Sequence, residues 1–276
     1  MNIYWDIETF SQCNLKDYGA HRYATDPSTG IHFMCFACDD GEVQTWRPGD
    51  PVPEPFANPT RYLFISDNWE FDRAIHANIL VPRSGFPPIP IENQDCAQRR
   101  ALANAFPPEL DLRCEALGLP YRKDPEARKA MIRLSRPQTA KRKKPVDPAA
   151  QERDLALVLE RCKSDVTATR ATYNSPRLQP LLPEERLQLL HDATINARGV
   201  HANVPFLEAA HTFAVQERNA IDTRLNELTA GLITSVNQVA KIVEAVNAHG
   251  HDMTSLTKRS VAATLAPSRK ASSANC

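Results

Sequence analysis

The chain has 276 residues, 33 Lys and Arg balanced by 33 Asp and Glu, and a hydrophobic fraction of 42%. These values are typical of a soluble globular protein with one large domain or two smaller ones, and the zero formal net charge gives no whole-chain signal for a nucleic-acid partner. No apolar stretch approaches the roughly 18 residues of a membrane span, and the N-terminus has no signal-peptide pattern, so we expect no membrane partner. The seven cysteines form no even disulfide framework, so we expect a reducing, cytoplasmic location.

The first third of the chain is predicted to form β-strands. Four β-rich segments broken by Gly, Pro and Asn cover residues 2–8, 30–40, 42–48 and 61–68, and hairpin-like spacing predicts that the first three are antiparallel neighbours. In the first strand, Asp6 and Glu8 lie two residues apart and therefore share a face, while Trp5 and Ile7 share the other. Adjacent carboxylates repel unless a cation separates them. The pair therefore indicates either a site for Mg²⁺ or Mn²⁺ or a solvated strand end.

The rest of the chain is predicted to be mainly helical. A helix begins near Asn68, a favourable cap residue, and carries Asp72 close to its start. Asp95 is expected at the N-terminal end of a later helix, and Asp165 within a long one. Predicted helices cover 94–106, 110–119, 148–175, 182–199, 205–230, 235–250 and 257–266. We therefore expect an α/β domain over residues 1–180 and an all-α segment over 181–276.

One segment is strongly basic. Residues 122–144 contain ten Lys or Arg and two acids. Contacts with nucleic-acid phosphates need positive charge but little order, so Arg133, Arg136 and the run Lys141–Lys144 are candidates for them. The alternative is a solvated loop with no ligand.

Three acidic stretches resemble the motifs of the DEDD superfamily of 3′–5′ exonucleases. DIET at residues 6–9 is similar to the first motif, NWEFD at 68–72 to the second, and the stretch ending at Asp165 to the third. Further segments resemble bacteriophage family A DNA polymerases in the region of the exonuclease domain and the start of the thumb. They are residues 6–27, 116–137, 161–170, 181–204 and 235–250.

The resemblance implies a fold and a set of metal ligands. The fold is a ribonuclease H-like mixed β-sheet flanked by helices, followed by an all-α segment like the start of a thumb. Two Mg²⁺ or Mn²⁺ ions would activate a water and stabilise the leaving oxygen at the 3′ end of single-stranded DNA. The implied ligands are Asp6, Glu8, Asp72 and Asp165.

The resemblance also implies residues that contact the substrate. Thr9 and Asn68 match positions expected at the terminal nucleotide, although each has a plain structural alternative as a strand-end residue and a helix cap. Phe10 or Trp69 would stack on a terminal base or else belong to the core.

Two departures from the family separate the possible functions. In the family, the third motif has a Tyr four residues before the Asp to orient the attacking water, or a His five residues before it. This chain has Arg161 and Glu160 at those positions. Arg161 is expected either to hold a phosphate or water, or to neutralise the carboxylates and block one metal ion. The palm and fingers would lie beyond Cys276, so the expected partner is a separate polymerase polypeptide.

Three functions remain open from the sequence. The first is a proofreading 3′–5′ exonuclease on single-stranded DNA, in the cytoplasm of a phage host. The second is a non-catalytic assembly module in which Arg161 marks decay of the site and residues 182–276 dock a polymerase half. The third is an RNA-trimming exonuclease, which would not need the thumb-like continuation.

Overall fold

The computed structural model describes residues 1–135 and 147–265, so the candidates Arg136 and Lys141–Lys144, and also Cys276, lie outside the described residues. The chain divides into two compact units, with the boundary along the chain between Arg198 and Gly199.

The first unit is built on a mixed sheet of five strands within the described residues, in the order β3-β2-β1-β4-β5. The strands are β1 (Asn2–Phe10), β2 (Gly30–Cys38), β3 (Gln44–Trp46), β4 (Leu63–Ser66) and β5 (Gln94–Cys96). β1 is antiparallel to β2, and β2 to β3, which confirms the predicted arrangement of the first three strands. β4 is parallel to β1, and β5 is parallel to β4.

Helices cover both faces of this sheet. They are α1 (Leu15–Thr25), α2 (Glu54–Ala57), α3 (Trp69–Ile75), α4 (Val81–Ser84), α5 (Ala97–Ala103), α6 (Leu110–Leu117), α7 (Pro125–Leu134), α8 (Pro148–Tyr173) and α9 (Pro183–Arg198), with a π-helical turn at His76–Leu80. On one face, Ile3, Trp5 and Ile7 of β1 pack with residues of α1, α2 and α3. On the other face, Tyr4 packs with residues of α5, α7 and α8. The alternation in β1 therefore turns the acids of this strand towards α8.

The pairing of β1 with β2 is irregular beside these acids. Glu8 lies opposite Phe33 but Thr9 lies opposite Ile31, so one residue of β2 is left out of the register. Such a bulge bends the strand and changes the direction of the side chains that follow it.

The expectation for Asp95 is wrong. Asp95 lies within β5, and α5 begins only at Ala97. The segment is a strand because residues 94–96 pair in parallel with residues 64–66 of β4, and this tertiary pairing overrides the local helical pattern. Asp95 is buried, accepts a hydrogen bond from the Tyr173 hydroxyl at 2.7 Å and forms an ion pair with Arg186 at 2.9 Å.

The first unit extends past the boundary expected near residue 180, because it includes α9. Leu189, Leu190 and Ala193 of α9 pack against Trp69 and Cys96. This contact joins α9 to α3 and to the end of β5.

The second unit is helical throughout the elements that the structure describes for it. It contains α10 (Val204–Leu228), α11 (Val239–Ala248) and α12 (Lys258–Leu265). The Val236 backbone amide donates to Asp222 of α10 at 2.6 Å, which ties the loop before α11 to that helix. This agrees with the all-α segment predicted from the periodicity.

Across residues 1–135 and 147–265, we find no helix that combines the length and the apolar character needed to cross a membrane.

Candidate active site

The acids of β1 and the acid Asp165 of α8 lie in one region, where the long helix crosses the sheet. The Cys162 thiol of α8 contacts the backbone oxygen of Asp6 at 3.7 Å, and Cys162 is fully buried. Asp165 lies three residues further along α8, on the same side of the helix. Asp6 and Glu8 of β1 face this helix, so the three carboxylates belong to one region.

The fourth acid reaches the same region from α3. This helix begins directly after β4, which pairs with β1, and Asp72 is its fourth residue. Asp72 is 3% exposed, and its Oδ1 atom is buried without a hydrogen-bond partner in the described part of the chain. Asn68 occupies the N-cap position of α3, but its side chain makes no capping hydrogen bond there. Asn68 therefore lies at the predicted cap position, but its side chain does not cap the helix by a hydrogen bond.

The pKa values indicate that the four acids share one electrostatic environment. Burial, followed by the charge of Asp165, raises the pKa of Asp6 to about 7. Burial and the charge of Asp6 raise the pKa of Glu8 and that of Asp72 well above their ordinary ranges. Burial also raises the pKa of Asp165, against the opposing effects of Tyr121 and Arg161. Each carboxylate thus makes ionisation of its neighbours more costly, and a bound cation would relieve this.

Both oxygens of Asp165 have donors from the chain. The Tyr121 hydroxyl donates to Oδ1, and Nε of Arg161 lies 3.4 Å from Oδ2. Tyr121 comes from the segment between α6 and α7 and is nearly buried. Tyr121 lies within residues 116–137, which resemble the phage polymerases, but no motif in the sequence identified it as a site residue.

A fifth carboxylate was also missed. Asp67 follows β4 directly, and burial raises its pKa while Arg113 acts against this. The Arg113 side chain is 0% exposed and donates both to Asp67 and to the Pro108 carbonyl oxygen, the latter at 3.0 Å. Asp67 therefore brings its own counter-charge to the cluster. The only sequence signal was its place just before Asn68.

A cavity of about 690 Å³ opens beside Glu8. Its lining includes Thr9, Asn68 and Phe71, which places both predicted nucleotide contacts in one space. The Thr9 and Tyr23 hydroxyls are hydrogen-bonded at 2.9 Å. The volume lies within the range of small-ligand sites, and the cavity joins polar groups to an aromatic wall.

Other candidates lie in structural contacts. Arg133 of α7 makes two hydrogen bonds to Asp154 of α8, at 2.7 and 2.6 Å. Trp69 is 2% exposed, so it is a core residue, as the alternative predicted. The Phe10 ring packs against His32, with ring centroids 4.8 Å apart.

The donor set fits a hard divalent cation, although the side chains are not already arranged around one. In the described ranges, no group of three or more His, Cys, Asp and Glu has the geometry of a metal site. The unpartnered Oδ1 of Asp72 and the nearby carboxylates of Asp6 and Glu8 are oxygen ligands of the kind that Mg²⁺ and Mn²⁺ prefer.

Comparisons with known proteins give one distant relative. No protein-family model matches the chain. The chain is 27% identical over 271 residues to a DNA polymerase of Bacillus phage SP02, and the match covers 92% of this chain but only 39% of that polymerase. A solved structure described as the apo form of a nuclease matches 73% of this chain and 89% of its own, with 15% identity and a TM-score of 0.26, which is too low to support an argument. The chain is therefore distantly similar to a stretch covering about two fifths of a phage DNA polymerase, and its mixed sheet flanked by helices is compatible with a ribonuclease H-like fold.

Proposed function

We propose that the chain is a metal-dependent nuclease, and within that class a 3′–5′ exonuclease acting on single-stranded DNA as the proofreading part of a phage DNA polymerase. The observation that supports this most is the group of acids from β1, α3 and α8, in which Glu8 and Asp72 are buried and Asp6 and Asp165 are partly buried. Glu8 also lines a cavity of nucleotide size. The distant similarity to a phage DNA polymerase supports the choice of DNA over RNA.

The four acids Asp6, Glu8, Asp72 and Asp165 would hold two ions of Mg²⁺ or Mn²⁺, which supply an activated water and charge stabilisation at the leaving oxygen when bound. Thr9 and Asn68 orient the terminal nucleotide from within the cavity. Phe71 and Tyr23, whose ring centroids are 5.8 Å apart, give this cavity an aromatic wall against which a base can stack in any sequence.

Arg133 is a further proposed contact with the DNA backbone. Its guanidinium pairs with Asp154 through two hydrogen bonds, and its side chain remains 47% exposed. A phosphate would therefore approach the exposed side of the guanidinium. Arg136 is proposed for the same role by its neighbouring place in the sequence.

A second candidate function is favoured by one observation. Arg161 lies against Asp165, and the described acids do not form a ready-made metal site. A catalytically weakened module that binds DNA and docks a polymerase half would have this arrangement.

Both candidates include a polymerase polypeptide as partner. α10 exposes the apolar side chains of Phe206 and Phe213, which are 66% and 64% accessible and could pack against such a partner. We expect complex formation with a polypeptide carrying the remaining polymerase region, measured by light scattering. A monomer that does not bind it would remove this part of the proposal.

An exonuclease assay tests the function directly. The protein is incubated with a 5′-labelled single strand of DNA or RNA and either Mg²⁺ or Mn²⁺. We expect a ladder that shortens from the 3′ end, faster on DNA. Asp72→Asn should lose about 100-fold or more in rate, because it removes one charge from the ion-binding set.

The matched control is Asp192→Asn, an exposed acid on α9 outside the cluster, which should keep the wild-type rate. No shortening with either metal would overturn the exonuclease in favour of the assembly module. Equal loss in both variants would show that the acid cluster is not the site.

A further inference from the structure

The two donors on Asp165 differ in geometry. The Tyr121 hydroxyl donates to Oδ1, whereas Arg161 reaches Oδ2 through Nε alone, at 3.4 Å. Arginine pairs with carboxylates most strongly through two parallel hydrogen bonds of about 2.7–2.9 Å. The Arg133–Asp154 pair has that form in the same molecule, with distances of 2.7 and 2.6 Å. The Arg161 contact is therefore the one that a competing cation would displace.

The position of Arg161 is costly by hydrogen bonding alone. Its side chain is 14% exposed, and its Nη1 atom is buried with no hydrogen-bond partner among the residues that the structure describes. An unsatisfied buried donor lowers the stability of the fold, and a charged one lowers it more. The charge of Asp165, which the guanidinium contacts, holds it there.

Arg161 also affects the acids around it. Its guanidinium contacts Asp165, the acid of α8 on the side of the helix that faces Asp6 and Glu8 of β1. It thus does part of what a bound metal ion would do, from a position four residues before Asp165 on the same helix.

We propose that Arg161 is an internal counter-cation of the acid cluster that competes with a divalent ion for Asp165. The proposal rests on the proposed function, because it takes Asp165 to be a metal ligand. Tyr121 keeps Asp165 in place while Arg161 swings away, so the carboxylate stays oriented for the incoming ion. The competition sets the divalent-ion concentration at which the site fills.

Calorimetric titration with Mn²⁺ tests the competition without any nuclease assay. Arg161→Gln should bind Mn²⁺ at least about tenfold more tightly than wild type, because a positive charge within a few ångströms of the ion is removed. Arg161→Lys keeps the charge and should stay within about threefold of wild type. In EDTA, Arg161→Gln should melt at a lower temperature than wild type, since the acids lose their counter-charge.

The matched control is Arg170→Gln on the same helix. Arg170 donates to the backbone oxygens of Asp39 and Gly41, at 3.0 and 2.7 Å. The substitution removes the same charge from α8 and should leave Mn²⁺ affinity unchanged. A gain in affinity equal to that of Arg161→Gln would overturn the proposal, because any loss of positive charge would then suffice.

A measurement on the wild-type protein covers the case in which Arg161→Gln does not fold. In a ¹⁵N spectrum of the arginine side chains, the Nε–H signal of Arg161 is the one that is absent from Arg161→Lys. This signal should shift when Mg²⁺ is added to the wild-type protein. A signal that stays in place at saturating Mg²⁺ overturns the proposal.

Two outcomes separate this inference from the function on which it rests. Equal Mn²⁺ affinity in wild type and Arg161→Gln, with exonuclease activity present, overturns the inference alone. Absence of Mn²⁺ binding in both proteins, together with no activity, overturns the proposed function as well.

Discussion

At the scale of single residues, Tyr121 shows how a distant part of the chain comes to orient Asp165. The two residues are 44 positions apart. Gly118 ends α6 with φ at 73°, a conformation that glycine adopts without strain. The chain then turns back on α8, where the Tyr121 ring packs with Ala168. This packing fixes the ring, so its hydroxyl meets the carboxylate one turn away.

Removing the Tyr121 hydroxyl should loosen Asp165 without unfolding the protein. Hydrogen-bond partners of metal-ligating carboxylates contribute about 10–100-fold to metal affinity or activity. We expect Tyr121→Phe to lose that much in Mn²⁺ affinity or exonuclease rate, because Asp165 can then rotate. The thermal midpoint in EDTA should change by only a few degrees, since the ring stays in place.

The control for this prediction is Tyr62→Phe. The Tyr62 hydroxyl also donates to a carboxylate, that of Glu54 at 2.6 Å, but on the exposed surface and outside the acid cluster. Tyr62→Phe should keep metal affinity and rate. A Tyr121→Phe protein with full metal affinity and full activity would refute the positioning role.

At the scale of secondary-structure elements, Arg186 attaches α9 to the edge of the sheet. Its guanidinium donates to the backbone oxygens of Glu92 and Gln94, at 3.2 and 2.7 Å, and pairs with Asp95. Hydrogen bonds that involve a charged group contribute about 1.5–3 kcal/mol each. Arg186 therefore helps to hold α9 in place together with the apolar contacts of Leu189, Leu190 and Ala193.

Replacing Arg186 should release α9 before the rest of the unit unfolds. We expect Arg186→Gln to lower the free energy of opening of α9 by about 2–3 kcal/mol, measured by amide hydrogen exchange. Arg198→Gln, at the exposed end of the same helix, is the control and should leave exchange in α9 unchanged. Uniformly faster exchange across β1 and α8 in Arg186→Gln would instead indicate global destabilisation.

Elements with a long pattern were predictable from the sequence, and those set by tertiary contacts were not. The alternation in β1 and the pattern of α8 predicted both elements, and the alternation also predicted that Asp6 and Glu8 share one face of the strand. β5 has only three residues, too few for a pattern, and exists because β4 offers a pairing edge.

The same difference applies to the site. The acids follow recognisable motifs, but Tyr121 and the Asp67–Arg113 pair depend on contacts 44 and 46 residues apart. The sequence also left two roles open for Arg161. The structure places its guanidinium against Asp165, which is the contact required for neutralising the acids.

At the scale of the whole molecule, His76 makes stability depend on pH. Its ring is buried between Trp5 and Phe86, with both ring centroids 6.0 Å away. Burial lowers the pKa of His76 from 6.5 to about 4. Between these values the unfolded chain binds a proton that the folded chain does not, so the free energy of unfolding falls as pH falls from about 6.5 to 4.

The size of this effect can be measured by difference. The shift corresponds to about 3 kcal/mol of stability lost over that interval. We expect urea unfolding in EDTA to show that the free energy of unfolding falls less in His76→Phe than in wild type between pH 6.5 and 4. The difference between the two falls should be about 3 kcal/mol. The comparison with wild type is needed because Asp6, whose pKa is raised to about 7, favours the folded state as it is protonated over the same interval. Parallel pH profiles for the two proteins would show that His76 is protonated in the folded state.

The division of the chain into two units predicts where it can be cut. A chain ending at residue 198 keeps every element around the acid cluster, so we expect its Mn²⁺ affinity and exonuclease rate to match the full chain. A chain ending at residue 180 lacks α9, which exposes Trp69 and leaves Asp95 without Arg186. We expect it to be less stable than the 1–198 chain by about 2–4 kcal/mol, from lost apolar burial and the broken ion pair. Urea unfolding of both fragments measures the difference. Equal stability would show that the first unit ends near residue 180 and that α9 belongs with the helices after it.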